Sequence, residues 1–250
     1  MKRRRDAATV AGRTGTRRVL VVDIGGTHVK LLATGRRKPV RFDSGPKLTP
    51  AEAVRQILAA TSTWGYDAVS IGYPGPVGAD GPAKDPAHLG SGWTGFDFAA
   101  AFGKPVRLVN DAAMQALGGY RGGSMLFLGL GTGLGSALVI EGHLQPLELA
   151  HLPYHHGKSF EYFVSDAALK RRGHHEWRHA VIDVVNKIFA AMQADELLLG
   201  GGNARHLRKE LRHLPRGTRL GGNADAFRGG FLLWHVPEER ARRASRSWRR

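Results

Sequence analysis

Short apolar runs divided by glycine, proline and polar clusters set the rhythm of this chain, and their periods switch between those of strands and helices. Order begins near Val19, where VLVV runs to Asp23, through a Gly-Gly turn and into HVKLLAT, the pattern of a β-hairpin. PVRFDS reads as a third strand. TPAEAVRQILAATSTW opens on Thr-Pro, a good cap and first-turn pair, and puts Ala53, Ile57 and Ala60 on one helical face. DAVSIGY is a buried-type strand that runs into PGPVGADGPAKDPAHLGSGW, a segment too rich in glycine and proline for regular structure. PVRLVND predicts another strand and AAMQALGGY a helix, after which SMLFLGLGTGLGSALVIEG repeats the hairpin pattern. EYFVSDAALKRR and EWRHAVIDVVNKIFAAMQ read as helices, the second with Val181, Val185, Ile188 and Met192 at core-facing spacing. DELLLGGGNARHLRKEL predicts strand, glycine turn and helix, and FRGGFLLW closes the ordered part.

Strands that come in hairpins and then alternate with helices indicate α/β lobes rather than a sandwich. The glycine-rich hairpin occurs twice, as VVDIGGTHVKLL and FLGLGTGLGSALV, which predicts two related lobes facing each other across a cleft. The boundaries expected are an N-terminal lobe over 19–109 and a C-terminal lobe over 110–236. Basic, disordered tails at 1–18 and 237–250 flank them.

At 250 residues, 42% of them hydrophobic, the chain can bury a real core and is not disordered throughout. No apolar run reaches membrane-span length and the basic start lacks a signal-type apolar core, so a cytoplasmic protein is expected. Cysteine is absent, which excludes disulfides, thiol catalysis and thiolate metal sites. Of the net charge of +16, residues 1–18 supply +6 and residues 237–250 supply +4. Such tails attract polyanions of any kind or simply aid solubility.

Candidate chemistry lies in three glycine turns. Gly25-Gly26-Thr27 can expose backbone N–H groups and a hydroxyl to an anion. Asp23 stands at the same mouth, where it could hold magnesium through water. Lys30 adds a positive charge if it faces the cleft. Gly131, Thr132, Gly133 and Gly135 form the second turn, which is neither a Walker loop nor a Rossmann fingerprint. Gly200, Gly201 and Gly202 with Asn203 start the third, ahead of a helix whose N-terminus favours anions. Each turn alone is equally well a plain hairpin or loop. Asp111 alone also fits a helix N-cap.

Taken in this order, with Asn110-Asp111 between the first two, the turns resemble the ROK family of sugar kinases in the hexokinase–actin superfamily. The similarity runs from about Val19 to Trp234 and looks closest to the polyphosphate and ATP glucokinases. It implies a two-lobed actin-like (ribonuclease H-like) ATPase fold with an interlobe cleft. DIGGTHVK then implies Asp23, Gly25, Gly26 and Thr27 near the transferred phosphate and metal. GYPGPV places Gly75 and Pro76 in the loop that closes on the sugar. VNDAAMQALG makes Asn110 a sugar ligand and Asp111 the general base. LGLGTGLGSALV is the second phosphate motif, LLLGGGN lies beside the nucleotide's base and ribose, and Glu148, His151 and Glu161 take sugar hydroxyls.

The implied reaction moves a phosphoryl group from ATP or polyphosphate to a hexose, most simply glucose to glucose 6-phosphate, with Mg2+. No specific nucleic-acid partner and no membrane partner are implied, and a homodimer is among the expected assemblies. Departures from the family pattern are LPYHHGKS in place of a Cys-rich zinc loop, Ala150 for Gly, and His88 where a sugar-contacting Asn is usual. His151, His155 and His156 lack a helical frame and a spaced carboxylate, so no zinc is expected. An inactive sugar sensor with the same fold and a nucleic-acid binder working through the tails are the competing readings. The presence of Asp23, Thr27, Asp111 and Thr132 argues against the first, and the scarcity of aromatics in the tails against the second.

Overall fold

The structure is a computed structural model that describes residues 17–222 and 224–234. Apart from Arg17 and Arg18, the expected tails lie outside the described residues. Two five-stranded sheets form the body. The first contains β1 (Val19–Ile24), β2 (His28–Ala33), β3 (Val40–Asp43), β4 (Ala68–Tyr73) and, after the two-residue strands β5 (Val77–Gly78) and β6 (Gly81–Pro82), β7 (Val106–Asn110), in the order β3-β2-β1-β4-β7. The second contains β8 (Ser124–Leu130), β9 (Leu134–Ile140), β10 (His143–Leu147), β11 (Glu196–Gly200) and β12 (Thr218–Leu220), in the order β10-β9-β8-β11-β12. Each sheet has three antiparallel strands at one side and parallel pairing at the other. The repeated hairpin pattern therefore corresponds to a repeated sheet.

β1 and β4 are buried at every residue, the expected result for central strands covered on both faces. Helix α1 (Pro50–Ala60) is capped by the Thr49 hydroxyl, which accepts from the Glu52 N–H. Ala53 and Ile57 face the core as expected, but Val54 joins them and Ala60 is exposed. α2 (Phe98–Phe102) is short, capped by Asp97 and stopped by Gly103 at φ 59°. The two helices expected before β11 are arranged differently. α4 (Phe160–Val164) stops at Ser165, which caps α5 (Asp166–Met192), itself kinked at Gly173. Trp177, Val181, Val185 and Ile188 of α5 lie in the core of the second sheet, with Met192 partly buried against it.

α3 (Asp111–Gly119) and α6 (Ala224–Leu232) join the two sheets. Ala112, Ala113 and Ala116 of α3 pack on Met125, Phe127 and Ala137 of the second sheet, while Met114 packs with Val19 and Val21 of the first. α6, at the far end of the described chain, returns to the first sheet: the Ser70 hydroxyl donates to Gly230 O at 2.6 Å and Trp234 Nε1 donates to Ser70 Oγ at 2.8 Å. The two helices cross closely. A methyl group on Gly118 would lie 1.8 Å from Asp225 O, and one on Gly229 would lie 1.8 Å from Met114 O. Only glycine permits that approach.

Candidate active site

The start of α3 lies between the ends of both sheets. On one side, Gly72 of β4 sits next to Asp23 of β1 in register, and a methyl group there would come 2.4 Å from Met114 Cε and 3.4 Å from Asp111 Cα. On the other, a methyl on Gly135 of β9 would come 2.8 Å from Ala112 Cβ. Two strand glycines thus let the helix enter with its first residues at the mouth between the lobes.

Asp23 and Lys30 are opposite each other on β1 and β2, and the ammonium donates to Asp23 Oδ2 at 3.0 Å. Lys30 therefore lies on the same side as Asp23. Asp23 is only 8% exposed at its side chain, so this pairing offsets much of the cost of burying the carboxylate. Asp111 is raised to about 7. Burial is the main cause and the negative charge of Asp23 the second, partly offset by N–H groups at the helix start and by Lys30.

The alternative role of Asp111 as helix cap is filled by its neighbour. Asn110 Oδ1 accepts from Ala113 N at 3.1 Å, and its Nδ2 donates to Gly75 O at 3.2 Å. Asp111 is the first helical residue and accepts from the Ala112 N–H at 2.8 Å. Asn110 thus ties the Gly75-Pro76 loop to α3, and among the described residues its second amide hydrogen has no partner. The loop is held further by Ala83 N donating to Pro76 O and by Asp85, whose carboxylate accepts from the N–H groups of Gly92, Trp93 and Thr94. Those backbone hydrogen bonds, with Thr94 the largest contributor, hold Asp85 below the ordinary carboxylate range. No motif marks Asp85 in the sequence beyond its position in a Pro/Gly-rich loop.

The first glycine turn differs in detail from expectation. Gly25 N donates to His28 O at 3.0 Å to close the hairpin, so its N–H is spent. Among the described residues, the N–H groups of Gly26 and Thr27 have no partner, and Thr27 is exposed. The side chain of His88 covers Gly26: a methyl there would lie 3.2 Å from His88 Cβ. His88 is exposed, which puts an imidazole at the edge of this turn.

The second turn, Gly131-Thr132-Gly133, receives a protein carboxylate. Glu161 Oε2 accepts from Leu134 N at 3.0 Å and lies 2.2 Å from where a Gly133 methyl would be. The chain thus brings a residue expected at the sugar against a turn expected at the phosphate. Glu161 N in turn donates to Ala150 O, which links it to Glu148 and His151. Those two are exposed and pair with each other at 3.5 Å.

The third turn packs on the second: Asn203 N donates to Leu130 O, and a methyl on Gly201 would come 2.3 Å from the same oxygen. Gly200 is pressed against Phe127, and Gly202 alone faces open space. Asn203 is buried, with its amide 3.4 Å from Asp166 Oδ1. The helix expected after it is two 3₁₀ turns, Ala204–Leu207 and Leu211–His213, too short to carry a useful dipole. The expected anion site at that helix start is corrected accordingly.

Among the described residues no group of three or more His, Asp or Glu side chains is arranged to hold a metal ion. Magnesium does not need such a cage, because it takes one or two carboxylates and keeps its waters. The carboxylate of Asp23, with the charge of Asp111 beside it, fits such a water-bridged ion. A surface cavity of about 370 Å³ between Tyr154, His155, Phe163 and α5 contains none of the nominated residues. Among the described residues no helix is long and apolar enough to cross a membrane.

The model of the ROK family matches residues 19–146. The polyphosphate glucokinase of Mycobacterium leprae (strain TN) is 27% identical over 216 residues, covering 78% of this chain and 66% of that protein. The polyphosphate glucokinase of Mycobacterium tuberculosis (strain H37Rv) is 26% identical over 222 residues, covering 80% of this chain and 83% of the other. The inorganic polyphosphate/ATP-glucomannokinase of Arthrobacter sp. strain KM superposes with a TM-score of 0.76 at 24% identity, covering 88% of this chain and 99% of that one. At that identity the superposition shows the fold alone.

Proposed function

The chain belongs to the ROK family and has the two-lobed actin-like fold, and from that premise we propose that it phosphorylates a hexose with polyphosphate or ATP as donor. Glucose is the acceptor we infer, from the polyphosphate glucokinases to which the chain is similar. The observation that carries the reading is Asp111: a carboxylate raised to about 7, beside the Asp23–Lys30 pair, at the mouth of the first glycine turn.

A sugar hydroxyl attacks phosphorus poorly until its proton has somewhere to go. A base with a pKa near the working pH is the most effective acceptor, an effect of roughly 10²–10⁴-fold. In the proposed step the hydroxyl oxygen of the sugar forms a bond to the terminal phosphorus as the bond to the donor's bridging oxygen breaks. The hydroxyl proton passes to Asp111, and the donor leaves one phosphate shorter. Asn110, anchored by the helix and by Gly75, would orient the sugar with its remaining amide hydrogen. Lys30 and the free N–H groups of Gly26 and Thr27 would face the charge that builds on the phosphoryl oxygens. Magnesium, held through water by Asp23, would supply further neutralisation of that charge.

The test is a panel of hexoses incubated with magnesium and ATP or long-chain polyphosphate, with the sugar phosphate quantified, for the wild type and Asp111→Asn. The variant should bind sugar and lose turnover by at least about 10²-fold. Turnover in that variant equal to the wild type removes Asp111 as base. Sugar binding without turnover in the wild type would favour the inactive sensor.

A further inference from the structure

Residues 204–216 carry five Lys or Arg against one Glu, directly after the third glycine turn. Ala204, Leu207 and Leu214 point inward, in the core cluster with Trp177, Val181 and Val185 of α5, while Leu211 is exposed. The one acid, Glu210, is taken by Arg178 at 3.3 Å. Arg205, Arg208, Lys209, Arg212 and Arg216 are all exposed, and among the described residues none of them has an acidic partner. Arg205 and Arg212 donate to the adjacent His206 and His213 at 3.4 and 3.0 Å, and the five like charges on one short segment repel each other.

The segment is continuous with the proposed site. Asn203 N on Leu130 O and Asp166 N on Gly131 O fasten the third turn and the start of α5 to the second turn. A chain of phosphates lying on the cations could therefore reach the glycine turns with its end. Residues 204–216 contain no Phe, Tyr or Trp, the side chains on which single-stranded nucleic acids stack. The surface offers five cations and, besides the imidazoles of His206 and His213, no aromatic platform for bases, which suits a polyanion without them.

We propose that the exposed face of residues 204–216 is a docking track for linear polyphosphate, which presents its terminal phosphoryl group to the glycine turns. This rests on the kinase reading above and names the donor for it. The step on the terminal unit is the one already written: the last P–O–P bond breaks, the O–P bond to the sugar forms, the proton goes to Asp111, and the shortened chain remains on the track.

The experiment compares the full-length wild type with the combined variant Arg208→Ala, Lys209→Ala and Arg212→Ala, using long-chain polyphosphate, tripolyphosphate and ATP. The ratio of the KM for long chains to the KM for ATP should rise at least about tenfold, and the advantage of long chains over tripolyphosphate should shrink with it. Three lost phosphate contacts at about 0.7 each in the salt exponent should also flatten the salt dependence. Between 50 and 200 mM salt, wild-type affinity for long chains should fall about 20-fold more than that of the variant. A KM for ATP that rises in step with that for long chains, or an unchanged long-chain KM, overturns the track. Binding of end-labelled long-chain polyphosphate is measured alongside by anisotropy without sugar, with a uridine homopolymer as competitor. A wild type that phosphorylates no hexose sinks the kinase reading, while equal binding by variant and wild type sinks the track separately. If the variant loses the uridine polymer but not polyphosphate, the face is a nucleic-acid surface and the proposal falls.

Discussion

Replacing Asp111 with Asn should make the protein more stable at alkaline pH while abolishing its chemistry. Below about pH 4 the Asp111 carboxyl is neutral in both folded and unfolded chains, so the group costs the folded state nothing. Between about pH 4 and 7 the unfolded chain ionises it and the folded chain does not, because burial and Asp23 hold its pKa at about 7. Stability is therefore lost as pH rises through that window, and the cost is constant above it. At about 1.4 kcal/mol per pH unit the full cost approaches about 4 kcal/mol. Asparagine keeps the acceptor for the Ala112 N–H and carries no charge. The variant should gain about 3 kcal/mol at pH 8, or about 9 °C in Tm for a chain of this size, and show no gain near pH 4. Urea unfolding at both pH values measures it. A variant less stable than the wild type at pH 8, or a gain that does not change with pH, would refute the claim that burial and Asp23 set this proton's affinity. The same carboxylate gives the rate an acidic limb: turnover should rise with pH through about 7, because only the ionised form accepts a proton.

Lys30→Met removes the cation that lies 3.0 Å from Asp23 and also lowers the pKa of Asp111. The acidic limb of the rate profile should move to higher pH, and an unmoved limb means that Lys30 does not act on Asp111. Glu161→Gln keeps the acceptor for Leu134 N and removes a negative charge from the second turn. If donor phosphate binds there, its KM should fall about fivefold, for about 1 kcal/mol of repulsion relieved; a donor KM that stays the same places the phosphate elsewhere. Gly118→Ala drives a methyl into the Asp225 carbonyl and should cost about 3 kcal/mol, read by urea unfolding; a loss under about 1 kcal/mol would show that α3 and α6 can separate at little cost.

Local pattern was enough for eight of the twelve strands among the described residues, the doubled hairpin and the order of the motifs, but not for β10 and β12 or for the short β5–β6 pair inside the segment expected to lack regular structure. Alternation, turn glycines and buried runs such as VLVVDI act over a few residues, and the backbone answers to them directly. The same local pattern put Asp111 at a strand end and helix start, while its expected role as base came only from the family resemblance. α6 was not legible: AFRGGFL has two glycines that weaken a helix in isolation, and it is helical because those glycines fit against Met114 and Val21. Nor could the local pattern show that Asn110, not Asp111, caps α3, since both residue types cap well. The placement of Glu161 in the second turn depends on α4 folding back across Ala150.

The proton affinity of Asp111 belongs to the tertiary structure alone. It comes from the helix start being buried between two sheets and from Asp23, 88 positions earlier in the chain, arriving beside it through the gap left by Gly72. Sequence settles which residue carries a carboxylate. Desolvation and the field of distant charges exist only once the lobes have packed, and they decide what that carboxylate can do.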